Sequence, residues 1–459
     1  MGVRMLKSVS NSGKRIGLPV ASVFFAAMLL LCLALTGCSS TGADSKKADA
    51  TGAGSEGKEK QTKKHAGIYG LRSMDLYVQG DTVDVLLADG QMGSEFPELR
   101  HSRSSDGGET WSELDTVDIG KVLPSNPHRG MDAQIAANGD HMVAFWTGPG
   151  QSKHGKGSIA TSISTDAGRT WHPGPQIGGK ESMEGATFYD VLSLDDKFHL
   201  GWTDGPSEGR EFRYSQSADG GKSWAATRTL DPSTCACCWN ILANYGSKKL
   251  YGLYRDGKPR DMYLAVSEDA GATWELRSPV GEFGWIFDGC PHVGGGLTVA
   301  AGKNGPVLHS VVWTGREQKA GVYYLSSANE GKTWSKPRQM GDDGAKHADI
   351  VIASDGTLAA SWDDYVNKDY FIFAATSRDG GKNWSAAAQL SEQGSATHPK
   401  VTATSKGFRV FWTETDAQNY ITWKSVRLGK GGEKLDSPAV PVSTKGVAVR
   451  SFYSEGSGS

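Results

Sequence analysis

The chain has 459 residues, and its 49 Lys and Arg residues nearly balance its 51 Asp and Glu residues, for a formal net charge of -2. This balance gives no electrostatic basis for binding nucleic acid, and we expect no nucleic-acid partner. No phosphate-binding glycine loop and no long stretch of helical apolar periodicity stands out, which argues against nucleotide-dependent enzymes and helical bundles.

Residues 1–37 have the organisation of a secretory signal. Basic residues precede an apolar run from about Ile16 to Leu35, and the run ends at Leu35-Thr36-Gly37-Cys38. This ending resembles the lipobox of bacterial lipoproteins, which implies cleavage before Cys38 and lipidation of that residue. The alternative is an uncleaved transmembrane helix, since the run is almost long enough to span a bilayer.

The lipobox resemblance also implies a location. Ser39, not Asp, follows the cysteine, and by the sorting rule of Gram-negative lipoproteins this favours the outer membrane. In a Gram-positive host the protein would stay on the outer face of the plasma membrane. We therefore expect a cell-envelope protein that contacts the membrane through its N-terminal lipid.

The next residues, 38–66, are predicted to be a lipidated cysteine and a disordered tether. They are rich in small and charged residues and contain no aromatic side chain, so they cannot bury enough apolar surface to fold. Residues 67–445 are predicted to be one repeat-built domain, and residues 446–459 a flexible C-terminal tail.

One octapeptide recurs six times in this domain. The copies are Ser104–Trp111 (SSDGGETW), Ser164–Trp171 (STDAGRTW), Ser217–Trp224 (SADGGKSW), Ser267–Trp274 (SEDAGATW), Ser327–Trp334 (SANEGKTW) and Ser377–Trp384 (SRDGGKNW). Each copy resembles the Asp-box (BNR repeat) of sialidases and other β-propellers. The third residue is expected to cap backbone N–H groups of a tight turn, with glycine supplying a positive φ. These capping residues are Asp106, Asp166, Asp219, Asp269, Asn329 and Asp379.

The segments around the boxes predict an all-β fold. Alternating strand-like segments give seven first-strand starts, near Gly70, Asp132, Ala186, Trp239, Val293, Asp349 and Pro399. We therefore predict a β-propeller of seven four-stranded blades, with each box between the third and fourth strands. The alternative is six blades with an edge extension.

The cysteines of the domain occur in two segments that begin adjacent blades. Cys235, Cys237 and Cys238 lie in one segment, and Cys290 lies in the other, close to His292. For an exported protein we predict two disulfides, with a bridge from the first segment to Cys290. The alternatives are a copper or zinc site that includes His292, and a redox-active cysteine pair.

Histidines also recur at first-strand starts. His128, His347 and His398, with His292, could converge on a central channel and bind copper or zinc. The alternative is that these polar residues simply line a hydrated channel mouth.

The resemblance to sialidases covers almost the whole domain but depends on the boxes and the blade pattern. It implies three arginines that clamp a carboxylate, a Tyr–Glu nucleophile pair and an Asp acid/base. Arg72 occupies the place of the first arginine without the family's Arg-Ile-Pro motif. The other weak candidates, none within a matching motif, are Arg129, Arg255, Arg316, Glu184 and Tyr365.

Two functions follow from these observations. The first is a non-hydrolytic envelope lipoprotein that binds a glycan, metal or envelope protein at the propeller mouth, next to a cysteine-rich site. The second is an exo-acting glycoside hydrolase, most simply an exo-alpha-sialidase. The domain is expected to be monomeric.

Overall fold

The structure, a computed structural model, describes residues 69–90, 96–150, 156–178, 185–205, 209–416 and 419–439. The predicted signal peptide, Cys38, the tether, the C-terminal tail and Glu184 lie outside these residues. The described strands all belong to one compact unit, His65–Ser459. Within the described residues, no helix has the length and apolarity needed to cross a membrane.

The described strands follow one another in seven groups. The first three groups are β1 (Tyr69–Gln79), β2 (Thr82–Gly90), β3 (Glu98–Ser104) and β4 (Asp115–Thr116); β5 (Gln134–Asn138), β6 (His141–Pro149), β7 (Lys156–Ser164) and β8 (His172–Pro173); and β9 (Thr187–Leu194), β10 (Lys197–Asp204), β11 (Arg210–Ser217) and β12 (Arg228–Thr234). The next two are β13 (Ile241–Tyr245), β14 (Lys249–Arg255), β15 (Met262–Ser267) and β16 (Glu275–Pro279); and β17 (Gly295–Gly302), β18 (Gly305–Thr314), β19 (Gly321–Ser327) and β20 (Arg338–Gln339). The last two are β21 (Lys346–Ile352), β22 (Leu358–Val366), β23 (Asp369–Ser377) and β24 (Ala388–Gln389); and β25 (Ala396–Thr404), β26 (Gly407–Thr415) and β27 (Tyr420–Leu428).

Within each group, neighbouring strands pair antiparallel in chain order. Five groups are separate four-stranded sheets. The first and last groups share one seven-stranded sheet, because Tyr69 and Gly70 of β1 pair in parallel with Tyr420 and Ile421 of β27. The fold is therefore all-β and built from four-stranded antiparallel blades, as the sequence predicts.

The first strands contact one another in a closed cycle, in the order β1, β5, β9, β13, β17, β21, β25 and again β1. This order is the one expected of a ring with seven members. In the last group, Ala439 forms an isolated antiparallel bridge with Ser425 of β27. The residues that follow Ala439 lie outside the described part of the chain.

The six boxes connect third strands to fourth strands, as predicted. Each box serine is the last residue of a third strand, and its Oγ accepts a hydrogen bond from the N–H of the glycine at the fifth position of the box at 2.8–2.9 Å. The Asp or Asn side chain accepts the N–H of the residue four positions later at 2.7–3.0 Å. The turn thus satisfies its own backbone donors.

The core lies between neighbouring blades. One apolar cluster joins Leu86 of β2 to Trp146 of β6 and to the box residue Trp171. The second-strand aromatics Trp146, Trp202, Tyr254, Trp362 and Trp412 are at most 2% exposed. Since large aromatic side chains bury the most apolar area, these residues hold adjacent sheets together.

Candidate functional site

A cavity lies where the first strands begin. Its lining comes from the starts of six successive first-strand segments, including Arg129, Phe188, Trp239, Gly295, His347 and His398. Its volume of about 30 Å³ corresponds to roughly two water molecules. In antiparallel blades this end also carries the loops between second and third strands, opposite the boxes. We call this end the mouth.

Aromatic rings and imidazoles surround the mouth. His347 and His398 stack with ring centroids 3.7 Å apart, and Trp239 lies 5.8 Å from His347 and 6.2 Å from His398. His292 lies 6.4 Å from His128 and 6.0 Å from Phe188. The structure therefore brings the four histidines named from the sequence together as two pairs at one end of the ring.

Four of these residues have a left-handed backbone. The φ angles are 51° at Phe188, 55° at His292, 45° at His347 and 54° at His398. Non-glycine residues seldom adopt this conformation, and it concentrates at functional sites. The strand register shifts next to His347 and His398, so the β-bulge turns these residues toward the mouth.

Asp363 connects the stacked histidines. Its Oδ2 accepts hydrogen bonds from His347 Nδ1 at 2.7 Å and from the backbone N–H of His398 at 2.8 Å. Asp363 is fully buried, and its Oδ1 and the Nδ1 of His398 have no hydrogen-bond partner among the described residues. The three side chains offer ligand atoms within 4.8 Å of one another. Burial, with the charges of His347 and Arg129, holds the pKa of His398 well below its usual value.

Four carboxylates act on the buried amine of Lys400, which lines the same cavity as Asp132 and Asp349, an arrangement that our sequence analysis missed. The carboxylates of Asp349, Asp75, Asp190 and Asp132 outweigh the effect of burial on Lys400 and raise its pKa. Burial raises the pKa of Asp75 to about 6 and that of Asp190 to about 7.

These carboxylates also link neighbouring blades. Asp75 Oδ2 accepts the N–H of Ile135, and Asp132 Oδ1 accepts that of Met74. The signal was present in the sequence, because Asp75, Asp190, Asp349 and Lys400 occupy equivalent first-strand positions. Gln134 holds this position in the second group, and Asp132 lies two residues before it. Aligning the blades with one another would have revealed it.

The cysteines correct one prediction. Cys235, Cys237 and Cys238 are buried, Cys290 is exposed, and all four are free thiols. The Sγ atom of Cys235 lies 3.7 Å from that of Cys237 and 3.6 Å from that of Cys238, much farther than the roughly 2.05 Å of a disulfide bond. The predicted disulfides, including the bridge to Cys290, are therefore not found.

The two cysteine segments are nevertheless neighbours, as predicted. Arg260 joins them, because its Nη1 donates to Cys235 Sγ at 3.3 Å and to the backbone oxygen of Gly289. Cys290 itself lies on an exposed loop, where its carbonyl accepts a hydrogen bond from His292 Nδ1 at 3.0 Å. Because the two segments begin adjacent blades, the sequence predicted correctly that they are neighbours. It did not predict which way the Cys290 side chain points.

The three buried thiols differ in acidity. Hydrogen bonds from Cys237 and Cys238 lower the pKa of Cys235, so its thiolate forms first. The hydrogen bond to Cys235 raises the pKa of Cys237, and burial raises that of Cys238. The thiolate form of Cys235 is thus favoured by two neighbouring thiols, and Arg260 Nη1 donates a hydrogen bond to the same sulfur.

Two arginines named as weak candidates for a carboxylate clamp bind backbone carbonyls instead. Arg129 binds the carbonyls of Met74 and His398 and pairs with Asp132 at 2.6 Å. The fully buried Arg255 donates to the carbonyls of Arg260, Val293 and Trp313. Both Nη atoms of each guanidinium group are held by backbone carbonyls at the mouth, whereas Arg129 Nε is buried without a hydrogen-bond partner among the described residues.

The remaining sialidase candidates are scattered. Arg316 donates to the carbonyl of Phe283 on a neighbouring loop. Arg72 packs against Gly90 at the end of β2. Tyr365 is 50% exposed and contacts Tyr370 across its own hairpin, and Glu184 lies outside the described residues. Within the described part of the chain, no hydrogen bond or ion pair joins Arg129, Arg255, Arg316 and Tyr365 to one another.

Solved structures to which the chain is similar include a polysaccharide lyase, an α-L-arabinofuranosidase, a sialidase and a protein of unknown function from Dyadobacter fermentans. An ulvan lyase of polysaccharide lyase family PL25, bound to -[GlcA(1-4)Rha3S]-, is 10% identical over 80% of this chain and 95% of its own, with a TM-score of 0.53. The α-L-arabinofuranosidase Arb93A of Fusarium graminearum is 14% identical over 67% and 93%, with a TM-score of 0.45. The Hadza microbial sialidase Hz136 is 16% identical over 73% and 74%, with a TM-score of 0.39.

At these identities the likeness indicates the fold alone. A search of curated protein sequences finds no match. Residues 98–281, which include the first four boxes, match the family model for the BNR repeat-like domain. The chain is therefore similar to the BNR repeat-like domain over residues 98–281 and has an all-β, propeller-like fold.

Proposed function

We propose that this protein is a non-hydrolytic metal-binding module of the cell envelope, with the imidazoles at the mouth as its ligand site. One observation carries the proposal: histidines converge on the mouth, whereas the guanidinium groups of Arg129 and Arg255 are held by backbone carbonyls. A carboxylate clamp needs free guanidinium donors, and imidazole suits borderline divalent ions such as copper or zinc.

The environment of His347 supports a metal ligand. Its Nδ1 lies 2.7 Å from Asp363 Oδ2. In metal sites a carboxylate commonly accepts one N–H of a ligating histidine, which leaves the lone pair of the other nitrogen directed toward the ion. His398, stacked beside it with an unpartnered buried nitrogen, is the second ligand that we assign.

The proposal is tested by titrating the purified full-length protein with Zn²⁺ in a calorimeter. We expect stoichiometric binding that is lost in His347→Ala and weakened about 10–100-fold in Asp363→Asn, which removes the orienting carboxylate. His172→Ala changes an exposed histidine on the outer strand β8 and serves as the matched control. Unchanged binding in a His347→Ala, His398→Ala double variant would contradict the proposal.

The hydrolase alternative is tested on a fluorogenic sialic-acid substrate. We expect little or no turnover, because a shared fold does not bring a shared active site. Efficient turnover that disappears in Arg72→Ala would instead favour a sialidase, since it would show that this arginine binds the substrate carboxylate without the family motif.

A further inference from the structure

The buried thiols of Cys235, Cys237 and Cys238 form a second site, chemically different from the imidazoles of the mouth. Each cysteine is at most 4% exposed. Their three Sγ atoms lie within 4.8 Å of one another, and no fourth His, Cys, Asp or Glu ligand joins this group among the described residues.

The sulfur–sulfur distances suit a shared ion. For metal–sulfur bonds of about 2.3 Å, neighbouring sulfurs lie about 3.8 Å apart around a tetrahedral ion and about 4.0 Å apart around a trigonal one. The observed separations of 3.7 Å and 3.6 Å from Cys235 fall slightly below both values. The thiols are thus already spaced for coordination, and ion binding needs little rearrangement.

The surrounding charges favour a monovalent ion. Arg260 Nη1 lies 3.3 Å from Cys235 Sγ, and the positive charge of Arg255 also acts on Cys235 and Cys238. Three thiolates with two guanidinium groups carry a net charge of about minus one, and a single positive charge neutralises the site, as buried charges require.

Ligand number and softness point to the same ion. Structural zinc sites are nearly always four-coordinate, whereas Cys290, the nearest further thiol in the sequence, is exposed. Thiolates select soft ions, of which Cu(I) is the monovalent biological example.

We propose that Cys235, Cys237 and Cys238 form a three-thiolate site for a soft monovalent cation, and that this cation is Cu(I). Binding exchanges the thiol protons for the ion and releases them to solvent, and copper arrives and stays as Cu(I), so no electron is transferred. The inference is independent of the imidazole site and stands if the mouth binds nothing.

The test is a competition for Cu(I), under reducing and anaerobic conditions, between the purified full-length protein and a chromophoric Cu(I) chelator. We expect one Cu(I) per chain and an affinity at least about 100-fold lower in Cys237→Ser, since a direct ligand matters more than an orienting neighbour. Cys290→Ser, which changes the exposed thiol, should bind like the unaltered protein. Loss of binding in Cys290→Ser, or no binding by the unaltered protein, would overturn the proposal.

A second measurement on the unaltered protein guards against misfolding of the variant. Alkylation followed by peptide mapping should find the thiols at 235, 237 and 238 protected by Cu(I) and reactive after its removal, while the thiol at 290 reacts in both states. A disulfide among the three, or equal protection by Zn²⁺, would contradict the proposal. Because His347→Ala should leave this protection intact, failure here is distinguishable from failure of the proposed function.

Discussion

The box carboxylates hold their turns through short, local hydrogen bonds. Asp269 Oδ1 accepts the N–H of Thr273, and its Oδ2 accepts the Thr273 hydroxyl, both at 2.7 Å. Asn329, at the same place in the fifth box, makes the corresponding pair of bonds with Thr333 at 3.0 Å and 2.9 Å. An amide therefore replaces the carboxylate without loss of a partner.

We predict that Asp269→Ala lowers the free energy of unfolding by about 1–2 kcal/mol, because it leaves the donors of Thr273 without their partner. Asp269→Asn is the matched control and should unfold close to the unaltered protein. The measurement is thermal unfolding followed by circular dichroism. If both variants unfold at the same temperature, the side-chain bonds of this box do not contribute to stability.

At the residue scale, the sequence predicted where chain segments lie better than it predicted which way their side chains point. It placed the Cys235 and Cys290 segments side by side, and Arg260 does contact both. It did not predict that Cys290 is exposed while the other three thiols are buried. Side-chain direction at a strand start depends on bulges and left-handed residues, which have no dependable pattern in a single sequence.

At the scale of elements, the strands were predictable because they repeat. Each first strand starts within three residues of its predicted start, for example at Tyr69 against Gly70 and at Ile241 against Trp239. The boxes fix the ends of third strands, so an error in one blade does not pass to the next. Irregular loops at the mouth lack such a repeat, and there the candidate sialidase residues proved to be scattered.

The box tryptophans connect one blade to the next, and Trp111 does so where the chain's first and last groups meet. Its ring lies 5.3 Å from Trp423 of β27 and 6.1 Å from Phe411 of β26, edge to face in both cases. It is 2% exposed. The short pairing of β1 with β27 is thus supported by an aromatic cluster.

We predict that Trp111→Ala destabilises the domain by about 3–5 kcal/mol, the usual cost of truncating a buried aromatic residue. Leu276→Ala, at a side chain that is 41% exposed, should change stability by no more than about 0.5 kcal/mol. Chemical denaturation followed by intrinsic fluorescence compares the two. A Trp111→Ala protein as stable as the unaltered one would mean that this cluster does not hold the first and last groups together.

At the scale of the whole molecule, seven blades remain our interpretation of the closed cycle of first strands. The sequence alone supports it through seven starts against six boxes. The boxes could not settle the number of blades, because the last group has no box. In its place is a turn in which the N–H of Gly429 donates to the backbone carbonyl of Glu433.

Lipid attachment is predicted for the chain as a whole. Cys38→Ala should abolish incorporation of labelled fatty acid while export continues, because Cys38 is the acceptor that follows the apolar run. Cys32→Ala changes the cysteine within that run and should leave labelling intact. Labelling that persists in Cys38→Ala would show that the chain is not a lipoprotein of this type.

The left-handed residues at the mouth have an evolutionary consequence. β-Branched side chains are poorly tolerated at positive φ, whereas Asn, Asp and His are enriched there. Phe188, His292, His347 and His398 occupy such positions, so the backbone favours Asn, Asp and His there and disfavours Val, Ile and Thr on steric grounds. Single substitutions that this backbone tolerates can therefore add or exchange ligands at the mouth.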